Sequence, residues 1–196
     1  TMLNKVFPGG SLVMVGANSA TGFRRHSIRV LLFDEVDGYP PAAGAEGDQL
    51  ALGIRRTEYY WNRKIAIGGT PTIKGISRVE EAFQQGDQRR YFVPCPECDH
   101  YQTLKWRGLQ WTDNDPTTVR YACEACGSLI PHRKKRWMVE RGEWRATNPD
   151  AAPGHASFHL WAAYSYSPNA AWETLVREFL EAKRNRETLR TFINTV

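Results

Sequence analysis

The stretch Val30-Leu31-Leu32-Phe33-Asp34-Glu35-Val36-Asp37-Gly38-Tyr39-Pro40 runs four apolar residues straight into two adjacent carboxylates. A buried strand that ends in negative charge calls for a positive partner. In open α/β sheets ligands gather at the carboxyl ends of the strands, so Asp34 and Glu35 would face such a site. Asp34 there can hold Mg²⁺, a hard cation that prefers oxygen donors and neutralises phosphates. Glu35 can orient and deprotonate an attacking water. Asp37 reads as turn chemistry, or as a helper that hydrogen-bonds the loop. The same stretch also fits a surface turn after an ordinary strand.

A strand ending in Asp-Glu is the Walker B pattern of P-loop nucleotide hydrolases. Two further features bear on that reading. Residues 64–72, KIAIGGTPT, form another short strand ending in small residues and hydroxyls, where Thr70 can sense a γ-phosphate of ATP; such clusters also mark plain loops. Upstream, Gly22-Phe23-Arg24-Arg25 offers Arg24 as a finger into a neighbouring subunit, stabilising transition-state charge. A surface arginine pair or a DNA-backbone contact fits Arg24 and Arg25 equally. The phosphate-cradling G-x-x-x-x-G-K-[ST] loop does not occur in the sequence. The 196-residue chain by itself is therefore expected not to hydrolyse ATP measurably.

The four cysteines carry a second chemistry. Cys95-Pro-Glu-Cys98 and Cys123-Glu-Ala-Cys126 are two C-x₂-C knuckles 24 residues apart, each preceded by a β-rich stretch. Four thiolates suit tetrahedral Zn²⁺, and the spacing spells a zinc ribbon whose metal supplies folding energy. Two disulfides or a thioredoxin-like pair are the alternatives. Gly127 follows the second knuckle, where a turn wants a permissive residue; Asp99 stands in that place after the first. Nearby Lys105, Arg107 and the basic run Arg133–Arg136, with Trp106, Trp111 and Trp137, could contact nucleic acid, or the tryptophans could simply pack the ribbon.

The elements that must position these residues can be read from pattern. Residues 11–17 look like a strand. Residues 27–33 look like a second one, so continuously apolar that cover on both faces is expected. A helix is expected from Asp48 toward Trp61 and a strand over 64–69. Ser77-x-x-Glu80 should form a capping box opening a helix that stops at Gly86. Strands separated by helices imply a parallel sheet. Beyond Arg89 come short strands into the cysteine pairs, a basic helix over 132–143, a strand over 157–165 and an amphipathic helix capped by Asn169.

The bulk figures set bounds. The net charge is +5, with the basic excess in the first two thirds, compatible with a nucleic-acid partner without demanding one. No run approaches the roughly 18 apolar residues of a membrane span. The start, TMLNKVFPGG, resembles a chain entered mid-fold.

Taken in order, GGSLVMVGANSATGFRRHSIRVLLFDEVDGYP, GGTPTIKG, FVPCPECDHYQTLKW, ASFHLWAAYSYSP and LRTFINTV resemble the large terminase subunit of tailed bacteriophages, lambda-type branch. The resemblance covers practically the whole chain. It implies a DNA-packaging ATPase joined to a nuclease, with Asp34 and Glu35 as metal-binding and catalytic carboxylates, Thr70 in the coupling motif and Arg24 at an arginine-finger position. The fold class implied is α/β, a partial P-loop NTPase parallel sheet of motor-ATPase type with an inserted zinc ribbon. Expected parts are the second half of the ATPase core over 1–90, the ribbon and basic helix over 91–146, and a return strand and helix over 147–196. The P-loop is expected before Thr1 and the nuclease after Val196. Implied cofactors are ATP, Mg²⁺ and Zn²⁺. Implied partners are double-stranded DNA, a small terminase subunit, the capsid portal and further copies of the chain, in the host cytoplasm. A helicase-like ATPase and a non-catalytic zinc-ribbon binding module remain the alternatives.

Overall fold

The computed structural model describes residues 3–195 apart from 20, 23, 24, 43–46 and 74; Arg24 lies outside the described residues. The chain is mixed α/β and divides into two compact units, Thr1–Glu80 and Glu81–Val196.

The first unit begins with an antiparallel hairpin, β1 (Asn4–Phe7) and β2 (Gly10–Val13). The strand expected over 11–17 thus stops at Val13 and pairs back on β1, because a tight Pro8-Gly9 turn precedes it. Next come β3 (Val30–Phe33), α1 (Gln49–Arg55) and β4 (Lys64–Ile67), and β3 and β4 pair in parallel. Helix α1 starts at Asp48, whose carboxylate accepts the Ala51 N–H at 2.9 Å, and it ends well before Trp61. Its Leu50 and Ile54 pack on Leu31, Phe33 and Val36.

Cover on both faces of β3 is not found. Leu31 and Phe33 are buried, whereas Val30 and Leu32 are 44% and 68% exposed. The packed cluster gathers on one face of the pair, so the apolar run alternates in burial despite its uniform composition. Helix α2 (Arg78–Gln85) opens as expected: Ser77 Oγ accepts the Glu80 N–H at 3.0 Å. The Glu80 carboxylate, however, reaches back to the Gly75 N–H at 2.9 Å, so the box closes two residues further out than the Ser77 N–H.

The second unit centres on β5 (Arg89–Pro94). It pairs antiparallel with β6 (Tyr101–Thr103) and with β10 (Glu143–Arg145), and parallel with β11 (Phe158–His159). A second sheet is an antiparallel meander of β7 (Leu109–Thr112), β8 (Asp115–Ala122) and β9 (Leu129–Pro131). Helix α3 (Lys135–Glu140) follows a 3₁₀ turn at His132–Lys134; α4 (Trp172–Ala182) and α5 (Arg186–Thr195) close the chain.

Two tyrosine hydroxyls pin these layers together. Tyr164 donates to Tyr91 O at 2.8 Å and accepts the Leu104 N–H at 2.7 Å. Tyr121 donates to Thr103 O and accepts the Lys105 N–H, both at 3.0 Å. Helix α4 seats Trp172, Leu175 and Val176 in the core, with the Trp172 indole donating to Ala163 O at 3.1 Å.

Three expectations are corrected in this unit. The helix over 132–143 is a 3₁₀ turn and a six-residue helix, and its last expected residue, Glu143, already belongs to β10. The strand over 157–165 shortens to Phe158–His159, because a 3₁₀ turn at Ala162–Tyr164 swings Tyr164 into the core. Asn169 does not cap α4: the N-cap residue is Ala171, and Ser167 caps the short Pro168–Ala170 turn before it. No helix among the described residues is long and apolar enough to cross a membrane.

Candidate functional site

In the first unit the register runs from Val30↔Lys64 to Phe33↔Ile67, so Asp34 and Gly68 leave the pair from the same end. Pairing continues past the strands. The Gly68 N–H donates to Phe33 O at 2.9 Å, and the Val36 N–H donates to Gly68 O at 3.3 Å. This zipper carries the Glu35 backbone against Gly69. A Cβ on Gly69 would lie 3.2 Å from Glu35 Cα and 3.3 Å from Val36 N, and Gly69 has φ +149°, a conformation open to glycine and hostile to other residues. Glu35 itself sits in the left-handed region at φ 50°, ψ 49°, a strained position for a side chain other than glycine or asparagine. Asp34, Glu35 and Thr70 are all exposed. The structure therefore brings Asp34 and Glu35 to the loop that bears Thr70.

Asp37 contributes more than the sequence suggests. One carboxylate oxygen accepts the Thr72 N–H at 2.9 Å and the Thr72 hydroxyl at 3.0 Å; the other accepts the Val79 N–H at 3.1 Å. Burial by itself would raise its pKa, but hydrogen bonds from Ser77, Val79 and Thr72 outweigh it and hold the carboxyl below the usual range. Asp37 thus ties the acidic loop to the glycine-rich loop and to the start of α2. Thr72, rather than Thr70, is the anchored hydroxyl. Spacing could not have found this pair, since Asp37 and Thr72 are separated by 35 residues. The only local signal was a third carboxylate just past Glu35.

In the second unit the two knuckles are the same turn used twice. Cys95 lies just past β5 and Cys123 just past β8. The Cys95 N–H donates to His100 O and the Asp99 N–H to Cys95 O; the Cys123 N–H donates to Ser128 O and the Gly127 N–H to Cys123 O, all at 2.9–3.0 Å. The matched residues Asp99 and Gly127 have φ 57° and 73°. Asp99 accepts the left-handed geometry that the turn imposes on either residue. The four Sγ atoms lie within 4.8 Å of one another, with Cys95–Cys126 at 3.9 Å and Cys98–Cys123 at 3.8 Å. All four cysteines are free thiols, and the group can hold a metal ion. Burial pushes the Cys95 thiol up to about 12, whereas hydrogen bonds from the Ser128 hydroxyl and backbone pull Cys126 down to about 6.

A family model described as "Phage terminase large subunit gpA, ATPase domain" matches residues 1–144. A second, "Terminase large subunit gpA, endonuclease domain", matches residues 155–196, so the nuclease match begins inside the chain rather than after Val196. Among the curated relatives, a "Terminase, large subunit" of Enterobacteria phage P21 is 33% identical over 217 residues, covering 98% of this chain and 33% of that protein. A "Terminase, large subunit" of Escherichia phage lambda is 29% identical over 219 residues, covering 100% of this chain and 34% of that protein. The chain spans about a third of the length of these relatives. No solved structure matches. With an ATPase-domain model matched over residues 1–144 and a large-subunit relative matched across 98% of this chain, this chain belongs to the gpA family of phage terminase large subunits.

Proposed function

We propose that the first unit is part of the nucleotide site of a DNA-packaging ATPase, acting within a polypeptide of the relatives' length to couple ATP hydrolysis to movement of double-stranded DNA into a capsid. The observation that carries this reading is the joint exit of Asp34–Glu35 and Gly68–Thr70 from one end of a parallel strand pair. That pair would belong to a larger P-loop-type parallel sheet.

Asp34 would hold Mg²⁺: it is an exposed carboxylate at a strand end, and oxygen donors are what that cation prefers. When bound, Mg²⁺ with ATP supplies charge neutralisation at the transferring phosphate. Glu35 holds and deprotonates the attacking water, and its left-handed backbone sets the direction in which its side chain leaves the main chain. Thr70 presents its hydroxyl toward the γ-phosphate, and Asp37 keeps that loop in register through Thr72. Arg24 acts as the arginine finger. The sequence lacks G-x-x-x-x-G-K-[ST], so the cradle for the ATP phosphates must come from elsewhere, and the chain by itself does not turn over ATP.

In the second unit the cysteines form a structural Zn²⁺ site. At a Zn–S length of about 2.3 Å the edge of a regular tetrahedron is about 3.8 Å. The 3.8 and 3.9 Å sulfur pairs fit that edge, and the all-thiolate donor set suits the metal. Duplex DNA, a small terminase subunit, a capsid portal and further copies of the chain are the partners of this reading, in the host cytoplasm.

The experiment is Glu35→Gln in a polypeptide of the relatives' length. Steady-state ATPase should drop about 10²–10⁴-fold with nucleotide binding retained, the loss of a general base. Turnover within a few-fold of the parent would remove Glu35 from the mechanism.

A further inference from the structure

The second unit contains a cleft of about 450 Å³ that the cysteine centre does not use. One wall is the basic run after β9, which contributes Arg133, Lys135 and Arg136. The other is the loop before α4, which contributes Ser165, Tyr166 and Ser167. No carboxylate lines it. The family models assign these walls differently: the first falls within the ATPase match and the second within the endonuclease match.

The lining is rich in donors. Lys135 is only 4% exposed, and its ammonium donates one hydrogen bond, to Ala170 O at 2.9 Å. An ammonium withdrawn from water on one carbonyl is under-satisfied, since it carries three donors and a full charge. Ser165 Oγ accepts the Ser167 N–H at 3.1 Å, and Ser167 Oγ accepts the Asn169 N–H at 3.3 Å. Each hydroxyl therefore keeps its own proton to donate outward. Arg136 pairs with Glu140 at 2.7 Å through Nε, which leaves its terminal N–H groups free of that bond, and Arg133 is exposed at the rim. His132 fixes one side of the cleft by accepting the Trp172 N–H at 3.4 Å and packing edge-on against the Trp172 ring.

Guanidinium, ammonium and hydroxyl donors line this cleft, Glu140 engages only the Nε of Arg136 from outside the lining, and such a donor set selects an oxyanion that only accepts hydrogen bonds. A cation has no anionic ligand there. We propose that this cleft binds a backbone phosphate of DNA, at the join between the segments matched by the ATPase and endonuclease models. The choice of DNA as the source of that phosphate rests on the packaging reading. The donor set does not depend on Asp34 or Glu35.

The test is a fluorescence-anisotropy titration of a labelled DNA duplex with the full chain across a salt series, comparing parent and Arg133→Ala. Arg133 is exposed, so its loss leaves folding intact. Loss of one phosphate contact should weaken binding about 3–10-fold and reduce the slope of log K against log salt by about 1. Lys135→Met should do the same, with circular dichroism used to check that it folds. Arg186→Ala, an equal loss of charge elsewhere, should shift affinity far less. An unchanged slope and affinity in Arg133→Ala overturns the proposal while leaving the ATPase test of Glu35 untouched. A parallel titration with inorganic phosphate follows the amides of residues 165–167 by NMR. Saturable shifts there, together with DNA binding indifferent to Arg133→Ala, assign the cleft to free phosphate and overturn the DNA source.

Discussion

Asp37 and Thr72 are joined twice, through the Thr72 N–H at 2.9 Å and its hydroxyl at 3.0 Å, both on one carboxylate oxygen. The other oxygen takes the Val79 N–H. A single side chain thus sets the spacing between the acidic loop after β3, the loop after β4 and the start of α2. Asp37→Ala should release the Thr72 and Val79 donors, and the Ser77 hydroxyl with them, at once. Amide exchange at Thr72 and Val79 should accelerate at least tenfold, and in the longer polypeptide kcat should fall with little change in nucleotide affinity. Asp37→Asn, which keeps an acceptor oxygen, should retain part of both. Unchanged exchange at Thr72 in Asp37→Ala would mean that the loop is held by something else.

The same carboxyl makes the first unit acid-sensitive. Its pKa is depressed in the folded chain, so near the unfolded value of about 3.9 the unfolded state binds more protons than the folded one. The contribution of Asp37 is therefore complete above that pH and lost as pH falls through the lower, folded value. Denaturant melts between pH 6 and pH 3 should show the parent losing more stability over the acid end than Asp37→Asn. Parallel curves for the two would contradict the depressed pKa.

Gly69 offers a steric test of the joint exit. An added methyl meets backbone atoms of Glu35 and Val36 at 3.2 and 3.3 Å, and neither can rotate away as a side chain would. Together with φ +149°, Gly69→Ala should cost about 1–3 kcal/mol of stability in the first unit. Because the atom displaced is Glu35 Cα, ATPase activity of the longer protein should fall more than Gly68→Ala lowers it. A Cβ on Gly68 would lie 3.8 Å from Phe33 O, its nearest neighbour, and would make no comparable clash. Equal behaviour of the two variants would detach Gly69 from Glu35.

The cysteine centre should be inseparable from folding of the second unit. Cys95 and Cys123 are 0% and 3% exposed and belong to the same packed cluster as Val93, Tyr121 and Trp172. Protein purified without added metal should carry about one zinc per chain, and a strong chelator should lower the melting temperature and expose tryptophan. Cys126→Ser should weaken metal binding by orders of magnitude, although Cys126 itself is exposed. Metal-free protein with an unchanged fold would refute a structural zinc.

Much of this arrangement was legible in the sequence, because its parts are local. The acidic strand end, the strand into Gly68-Gly69 and the two knuckles are each written within a few consecutive residues. Their positions follow from strand direction or turn geometry. What stayed hidden is long-range. The burial of Leu31 and Phe33 but not Val30 and Leu32 depends on which face α1 covers, which an unbroken apolar run does not encode. Asp37 reaches a hydroxyl 35 residues away, and Tyr164 reaches a strand 73 residues away. The strand expected over 157–165 failed for that last reason: burying Tyr164 required the chain to turn.

Tyr164 tests how tightly that turn binds the second unit. Its ring is 5% exposed, and its hydroxyl bridges Tyr91 O on β5 and the Leu104 N–H just past β6. Tyr164→Phe keeps the ring volume and removes only the oxygen, leaving a half-buried carbonyl and a buried N–H without that partner. Each orphaned group costs about 1–3 kcal/mol, so the variant should lose about 2–6 kcal/mol, more than a surface tyrosine such as Tyr166 would. The loss should appear in chemical denaturation of the zinc-loaded chain, with metal content unchanged, since neither partner is a cysteine. A loss below about 1 kcal/mol would show that the two backbone groups find other partners, and that ring burial alone draws Tyr164 inward.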